Sequence, residues 1–126
     1  MQTTIGRLAT GAAAIFFCLS GAWALVDPSS FYDQVAHWPP YNEHLVHDAG
    51  VFQLGIGVSL AALLVGMRGT VAVLAGAAAA AVLHVVSHVV DYGDGGRSTD
   101  PYVLGVVALV LLVALFIEGR AATRRS

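Results

Sequence analysis

Four apolar runs dominate the chain, and each is about as long as a helix must be to cross a hydrocarbon core. They cover about residues 5–26, 43–66, 70–90 and 102–118. Only 11% of the 126 residues are charged and none is lysine, whereas a soluble domain carries about a quarter charged residues. A soluble domain this small could not bury so much apolar surface. The sequence therefore predicts an all-α protein with one transmembrane domain over residues 1–126, an integral membrane four-helix up-down bundle.

A short amphipathic helix is predicted between the first and second runs, over about residues 28–38. Asp27 is a suitable N-cap for it, and Pro28 fits the first helical position. Apolar side chains recur on one face at helical spacing: Phe31, Val35 and Trp38. This pattern is typical of a helix that lies in the membrane interface. Asn42 is expected to cap the helix of the second run.

The charged residues separate between the two ends of the spans. Five of the six arginines lie at one set of ends: Arg7, Arg68, Arg120, Arg124 and Arg125. Seven of the eight acidic residues lie at the other: Asp27, Asp33, Glu43, Asp48, Asp91, Asp94 and Asp100. Because positively charged short loops stay in the cytoplasm, both termini and the 67–70 turn are expected inside. We expect a multi-pass plasma-membrane protein whose longer loops, 27–48 and 91–101, face outward.

The first run also fits a cleaved signal peptide. Arg7, the apolar core and the sequence Ala22-Trp23-Ala24 match the signal-peptide pattern with its A-x-A cleavage site. We favour a retained helix, because four spans place both termini on the same side of the membrane. Trp23 also suits an interfacial anchor.

Small residues recur along the spans at the spacing that lets membrane helices approach closely. Two such ridges are Gly57-x-x-x-Ala61 and Ala72-x-x-x-Gly76. Because the turn at Arg68 is tight, the second and third spans are predicted to be antiparallel neighbours.

Two clusters of histidine and carboxylate provide the one candidate chemistry. His84 and His88 lie one turn apart inside the third run, with Asp91 one turn further on. Ionisable side chains inside a membrane helix are costly and are functional candidates by default. If the second and third spans form a hairpin, the start of the second span lies at about the same depth in the membrane as His84 and His88. The sequence therefore predicts an outer-face metal site held by His44, His47, Asp48, His84, His88 and Asp91.

The ligand types restrict the metal and leave alternatives open. Imidazole and carboxylate suit Zn, Fe, Mn or Cu(II) rather than Cu(I), and the lone Cys18 excludes a thiolate site. Two histidines on facing helices could instead bind a b-type haem, but covalent haem is excluded because no C-x-x-C-H motif is present. A cofactor-free structural or accessory bundle is the runner-up, with the histidines as buried hydrogen-bonding groups. A proton-sensing module is the third hypothesis.

The expected partners are the lipid bilayer and either further copies of the chain or other membrane proteins, with no nucleic acid. Whether the protein is an enzyme stays open, because catalysis needs an open coordination position and a path for substrate.

The segment 21–32, GAWALVDPSSFY, resembles small four-helix bacterial membrane proteins of the broad DoxX-like group. In that group the first span ends in an apolar-Asp/Asn-Pro step before an outer loop. The chain length, the four spans and the glycine-rich segment 50–60, GVFQLGIGVSL, are also similar. The resemblance implies the four-helix fold and no particular reaction, and the histidine clusters are not carried over from it. The lysine-free, Ala- and Val-rich composition is typical of a high-GC bacterial genome.

Overall fold

The computed structural model describes residues 2–124, and within that range it contains five helices and no strand. The helices are α1 (Thr4–Val26), α2 (Pro28–Gln34), α3 (Glu43–Leu64), α4 (Thr70–Val90) and α5 (Asp100–Thr123). All except α2 are long and apolar enough to cross a membrane. The all-α prediction with four long apolar helices is confirmed. Arg125, one of the arginines used for the orientation, lies outside the described residues.

The two predicted helix caps are present. The Asp27 carboxylate accepts a hydrogen bond from the Ser30 N–H at 3.1 Å and begins α2. The Asn42 side chain accepts one from the Leu45 N–H at 3.2 Å and begins α3. Each cap satisfies one of the backbone donors that a helix start leaves free.

Helix α2 is shorter than the predicted 28–38, because it ends at Gln34. The Phe31 carbonyl accepts from the N–H groups of both Val35 and Ala36, which closes the last turn. Phe31 is buried, whereas Val35 beyond the helix end is exposed. The predicted apolar face is therefore cut short.

Helix α1 is the central element, since it packs against both α3 and α5, while α4 packs mainly on α5. Helices α3 and α4 contact each other only weakly, although a tight loop joins them. The structure thus differs from the predicted neighbour pair, because a short loop brings two helix ends together without packing their faces.

Glycine decides which helices approach closely. A Cβ on Gly57 would lie 2.6 Å from the Cys18 Sγ and 2.7 Å from the Cys18 backbone nitrogen. A Cβ on Gly21 would lie 2.6 Å from the backbone nitrogen of Leu54. By contrast, a Cβ on Gly76 would meet nothing within 4 Å. The ridge on α3 therefore packs against α1, and the ridge on α4 faces open space.

The core lies where the long helices meet. Leu60, Leu74 and Leu111, one from each of α3, α4 and α5, are fully buried and pack with Phe17 of α1. Many other large apolar side chains point outward, such as Phe52, which is 74% exposed. In contact with water this surface would be costly, whereas lipid tails would cover it without cost.

A buried carboxylate joins the start of α1 to the end of α5. Glu118 is 4% exposed, and its Oε1 accepts hydrogen bonds from the Thr3 N–H and hydroxyl, both at 2.7 Å. Nearby, the Arg7 guanidinium donates to the Leu64 carbonyl at the end of α3 at 3.3 Å. We call this region, residues 2–7, 64–70 and 118–124, the terminal end. Residues 27–48 and 91–100 form the acidic end.

Candidate functional site

Two histidines of α4 form a close pair at the acidic end of the helix. The Nε2 atoms of His84 and His88 are 3.2 Å apart, and their ring centroids are 4.9 Å apart. The spacing of four residues places both rings on one face, which brings them together. His84 is exposed, whereas the side chain of His88 is only 15% exposed. This distance is shorter than the 3.6 Å between His44 and Asp48, the other contact between two of the six predicted ligands.

The carboxylate beside this pair is Asp100 rather than the predicted Asp91. Asp100 Oδ2 lies 3.9 Å from His88 Nδ1, and its side chain is 16% exposed. The same oxygen accepts a hydrogen bond from the Arg97 backbone N–H at 2.8 Å. Asp91 is the C-cap residue of α4, and its N–H donates to the Ser87 carbonyl. No helical period relates Asp100 to His88, so sequence spacing could not find this partner.

An aromatic side chain covers the other side of His88. The Trp38 ring meets the imidazole edge-on, with centroids 5.4 Å apart. Gly96 has φ 73°, and a Cβ there would lie 3.0 Å from the Trp38 ring, so both backbone and space require glycine. The Gly96 N–H also donates to the His37 carbonyl at 2.7 Å. These contacts hold the α4–α5 loop against the α2–α3 loop and leave His88 half enclosed.

An arginine adds a second tie between the same loops. The Arg97 guanidinium donates to the Asp33 backbone carbonyl at 2.9 Å. Arg97 is the one arginine within residues 27–48 and 91–100 of the sequence. Its guanidinium donates this hydrogen bond to a backbone carbonyl rather than to a carboxylate. The carboxylates there are therefore in large excess over arginine.

The α3 cluster is open to solvent. His44 Nε2 lies 3.6 Å from Asp48 Oδ2, with side chains 87% and 54% exposed. Exposed pairs of this kind contribute about 0–1 kcal/mol to stability. His47 is partly buried, and no hydrogen bond or ion pair joins it to these two. Within residues 2–124, no group of three or more His, Cys, Asp or Glu is placed to hold a metal ion. The structure brings His84 and His88 together and leaves His44, His47 and Asp48 outside that pair.

The electrostatic field at the acidic end is negative. Partial desolvation, together with the carboxylates of Glu43, Asp27 and Asp33, raises the pKa of Tyr41 above its ordinary value of 10.0. The same carboxylates attract cations to this end of the molecule.

Comparison of the chain with models of protein families, with curated proteins and with solved structures gave no match. Membership of the DoxX-like group stays a prediction.

Proposed function

We propose that the protein spans the plasma membrane as a four-helix up-down bundle with both termini in the cytoplasm. The start of α1 contacts the ends of α3 and α5, as the Arg7–Leu64 and Thr3–Glu118 hydrogen bonds show, which supports alternating helix directions. The arginines then lie inside and the acidic end outside. Helix α1 is retained in this proposal, because it supplies Phe17 to the shared core.

The orientation predicts which engineered cysteines a membrane-impermeant maleimide can reach in intact cells. In a Cys18→Ala background, Ser98→Cys is expected to react from outside, whereas Met67→Cys is expected to react only after permeabilisation. Both positions are exposed, so access to the aqueous phase decides the result. The reverse pattern would overturn the orientation, and equal labelling of both before permeabilisation would overturn the membrane span.

We further propose that the acidic end binds one divalent transition metal ion through Nε2 of His84 and His88. The separation of the two nitrogens, 3.2 Å, carries this proposal. Two imidazole ligands of a tetrahedral zinc ion, each at about 2.0–2.1 Å from the metal, lie about 3.3 Å apart. The distance between the two nitrogens thus matches the spacing of adjacent ligands, and rotation of the rings would turn both lone pairs toward one ion. Iron, manganese and Cu(II) accept the same donor types.

In this proposal Asp100 takes the position of a carboxylate that orients a metal-binding imidazole. Such partners fix the tautomer and direction of the ring by accepting from its second nitrogen. The Nδ1–Oδ2 distance of 3.9 Å would have to shorten by about 1 Å to form this hydrogen bond when metal binds. Water would supply the remaining ligands, or Asp48 and His44 would do so if α3 moved toward α4. Asp91 and His47 have no part in the preformed pair.

Two alternatives account for the same residues. A b-type haem held by two histidines would take one from each of two facing helices, so His84 would require a partner from α3 instead of His88. In a cofactor-free bundle, the 3.2 Å contact is a hydrogen bond between the two rings. The optical spectrum and metal content of the purified protein distinguish all three.

The metal proposal predicts the outcome of histidine substitution. Protein purified in detergent is expected to carry near-stoichiometric metal by elemental analysis, and His84→Ala or His88→Ala is expected to lose it. Asp100→Asn should weaken metal binding by about 10–100-fold, as removal of such orienting groups does. His37→Ala is the matched control, because His37 lies at the same end and outside the pair. If His44→Ala and Asp48→Ala also lost the metal, these two residues of α3 would belong to the site.

Three results would decide against this site. A Soret band removed by His84→Ala would indicate haem. Protein that stays metal-free after incubation with Zn, Fe, Mn and Cu(II) would favour the structural bundle. Metal retained in His84→Ala and His88→Ala alike would place any binding elsewhere.

A further inference from the structure

A lateral groove separates the middle of α3 from the first turns of α4. Its volume is about 550 Å³. Its walls are apolar or small side chains, among them Phe52, Gly55 and Ser59 of α3 and Ala72, Gly76 and Ala77 of α4. The groove exists because α3 packs on α1 and α4 on α5, which leaves these two faces without a helix partner.

Glycine keeps both walls of the groove open. A Cβ on Gly55 or on Gly76 would meet nothing within 4 Å. On α3 the lining extends from Val51 to Ser59, which corresponds to a length of about 12 Å at about 1.5 Å per residue. The groove is therefore elongated along the helix direction.

The groove is open along one side, and its walls are mostly apolar, so a hydrocarbon chain can enter it from the bilayer. A helix of a second copy is the competing occupant, because small residues on both walls would allow it to approach.

One carboxylate lies beyond the groove toward the acidic end. Asp48 lies one turn before Phe52 on the same arc of α3, because residues four apart share a face. Asp48 has only the exposed His44 as an ion-pair partner among the described residues. A carboxylate therefore lies next to the α3 wall, on the side where the headgroup of an outer-leaflet lipid would sit.

We propose that this groove binds one acyl chain of a phosphatidylethanolamine molecule from the outer leaflet, with its ammonium facing Asp48. The excess of carboxylates at the acidic end disfavours a net anionic headgroup and favours an ammonium. The proposal rests on the proposed membrane insertion and orientation, and it does not require the metal.

Photo-crosslinking of lipid tests this proposal in nanodiscs that contain the full chain. The probes are phosphatidylethanolamine and phosphatidylglycerol that carry the same diazirine on one acyl chain, and mass spectrometry maps the adducts. With phosphatidylethanolamine, adducts are expected to be more frequent in residues 51–59 and 72–77 than on the exposed face of α5. Asp48→Asn is expected to remove the preference for phosphatidylethanolamine.

Gly76→Leu is expected to reduce the groove adducts by about tenfold, because forcing extra methylenes into an occupied site is costly. Gly105→Leu is the matched control, since Gly105 lies on α5 and a Cβ there also meets nothing within 4 Å. If Gly76→Leu does not fold, Gly55→Leu fills the opposite wall instead.

Adducts spread evenly over all four long helices, or unchanged by filling either wall, would overturn the proposal. So would chain-to-chain crosslinks in place of lipid adducts, which would indicate a second copy in the groove. An equal yield from both probes would overturn the headgroup assignment. Failure of membrane insertion is seen separately, in the cysteine labelling, so the two failures are distinguishable.

Discussion

Replacement of Gly57 by alanine is expected to destabilise the protein by about 1–3 kcal/mol, although alanine is the better helix former. The added Cβ would lie 2.6 Å from the Cys18 Sγ and 2.7 Å from the Cys18 backbone nitrogen. A flexible side chain can move aside, but a helix backbone cannot do so without separating α1 from α3. The free energy of unfolding, measured by titration with a denaturing detergent and followed by circular dichroism, reports the loss.

Gly55→Ala is the matched control for this substitution, on the same helix and two residues away. Its Cβ would meet nothing within 4 Å, so the free energy of unfolding should stay the same or rise by up to about 1 kcal/mol. Adding Cys18→Ala to Gly57→Ala should not restore stability fully, because the clash with the backbone nitrogen remains. Equal effects of Gly55→Ala and Gly57→Ala would contradict the close α1–α3 contact.

Substitution of Glu118 by alanine has the second large expected effect, a loss of about 2–4 kcal/mol. The Thr3 N–H and hydroxyl both donate to Glu118 Oε1, which is buried, and both would lose this acceptor in a partly buried region. The carboxylate also lies at the start of α1, where a negative charge favours the helix dipole. Glu118→Gln keeps an acceptor oxygen and should lose less, about 1–2 kcal/mol.

Glu43→Ala is the matched control for Glu118→Ala, because Glu43 is also a glutamate at a helix start. Glu43 is exposed in the first turn of α3, so its removal should change the free energy of unfolding by less than about 1 kcal/mol. The same denaturing-detergent titration measures both variants. If Glu118→Ala is as mild as Glu43→Ala, the Thr3–Glu118 hydrogen bonds do not hold α1 to α5.

Local chemistry explains what could be predicted along the chain. Runs of apolar residues indicated the four long helices, because length and hydrophobicity are properties of a continuous segment. Asp27 and Asn42 are recognisable as caps, since a capping side chain hydrogen-bonds to a backbone N–H only three residues away. The pairing of His84 with His88 follows from the four-residue spacing in the same way.

Long-range packing explains what could not be predicted. Gly57 contacts α1 rather than α4, although the sequence of its ridge is compatible with either helix. Asp100 reaches His88 from across a glycine-rich loop, and Glu118 reaches Thr3 over 115 positions. The periodicity of a single segment cannot predict these contacts. Glu118 is the one acidic residue that does not fit the charge pattern of the spans.

Four features can be read from the sequence: the long apolar helices, their caps, the separation of charge between the two ends and the proximity of His84 to His88. Each of these depends on interactions within a turn or within one continuous segment. The central position of α1, the approach of Asp100 to His88 and the groove between α3 and α4 depend instead on packing between helices. Such packing depends on which small residues face each other, and several pairings of the same ridges satisfy the sequence pattern equally well.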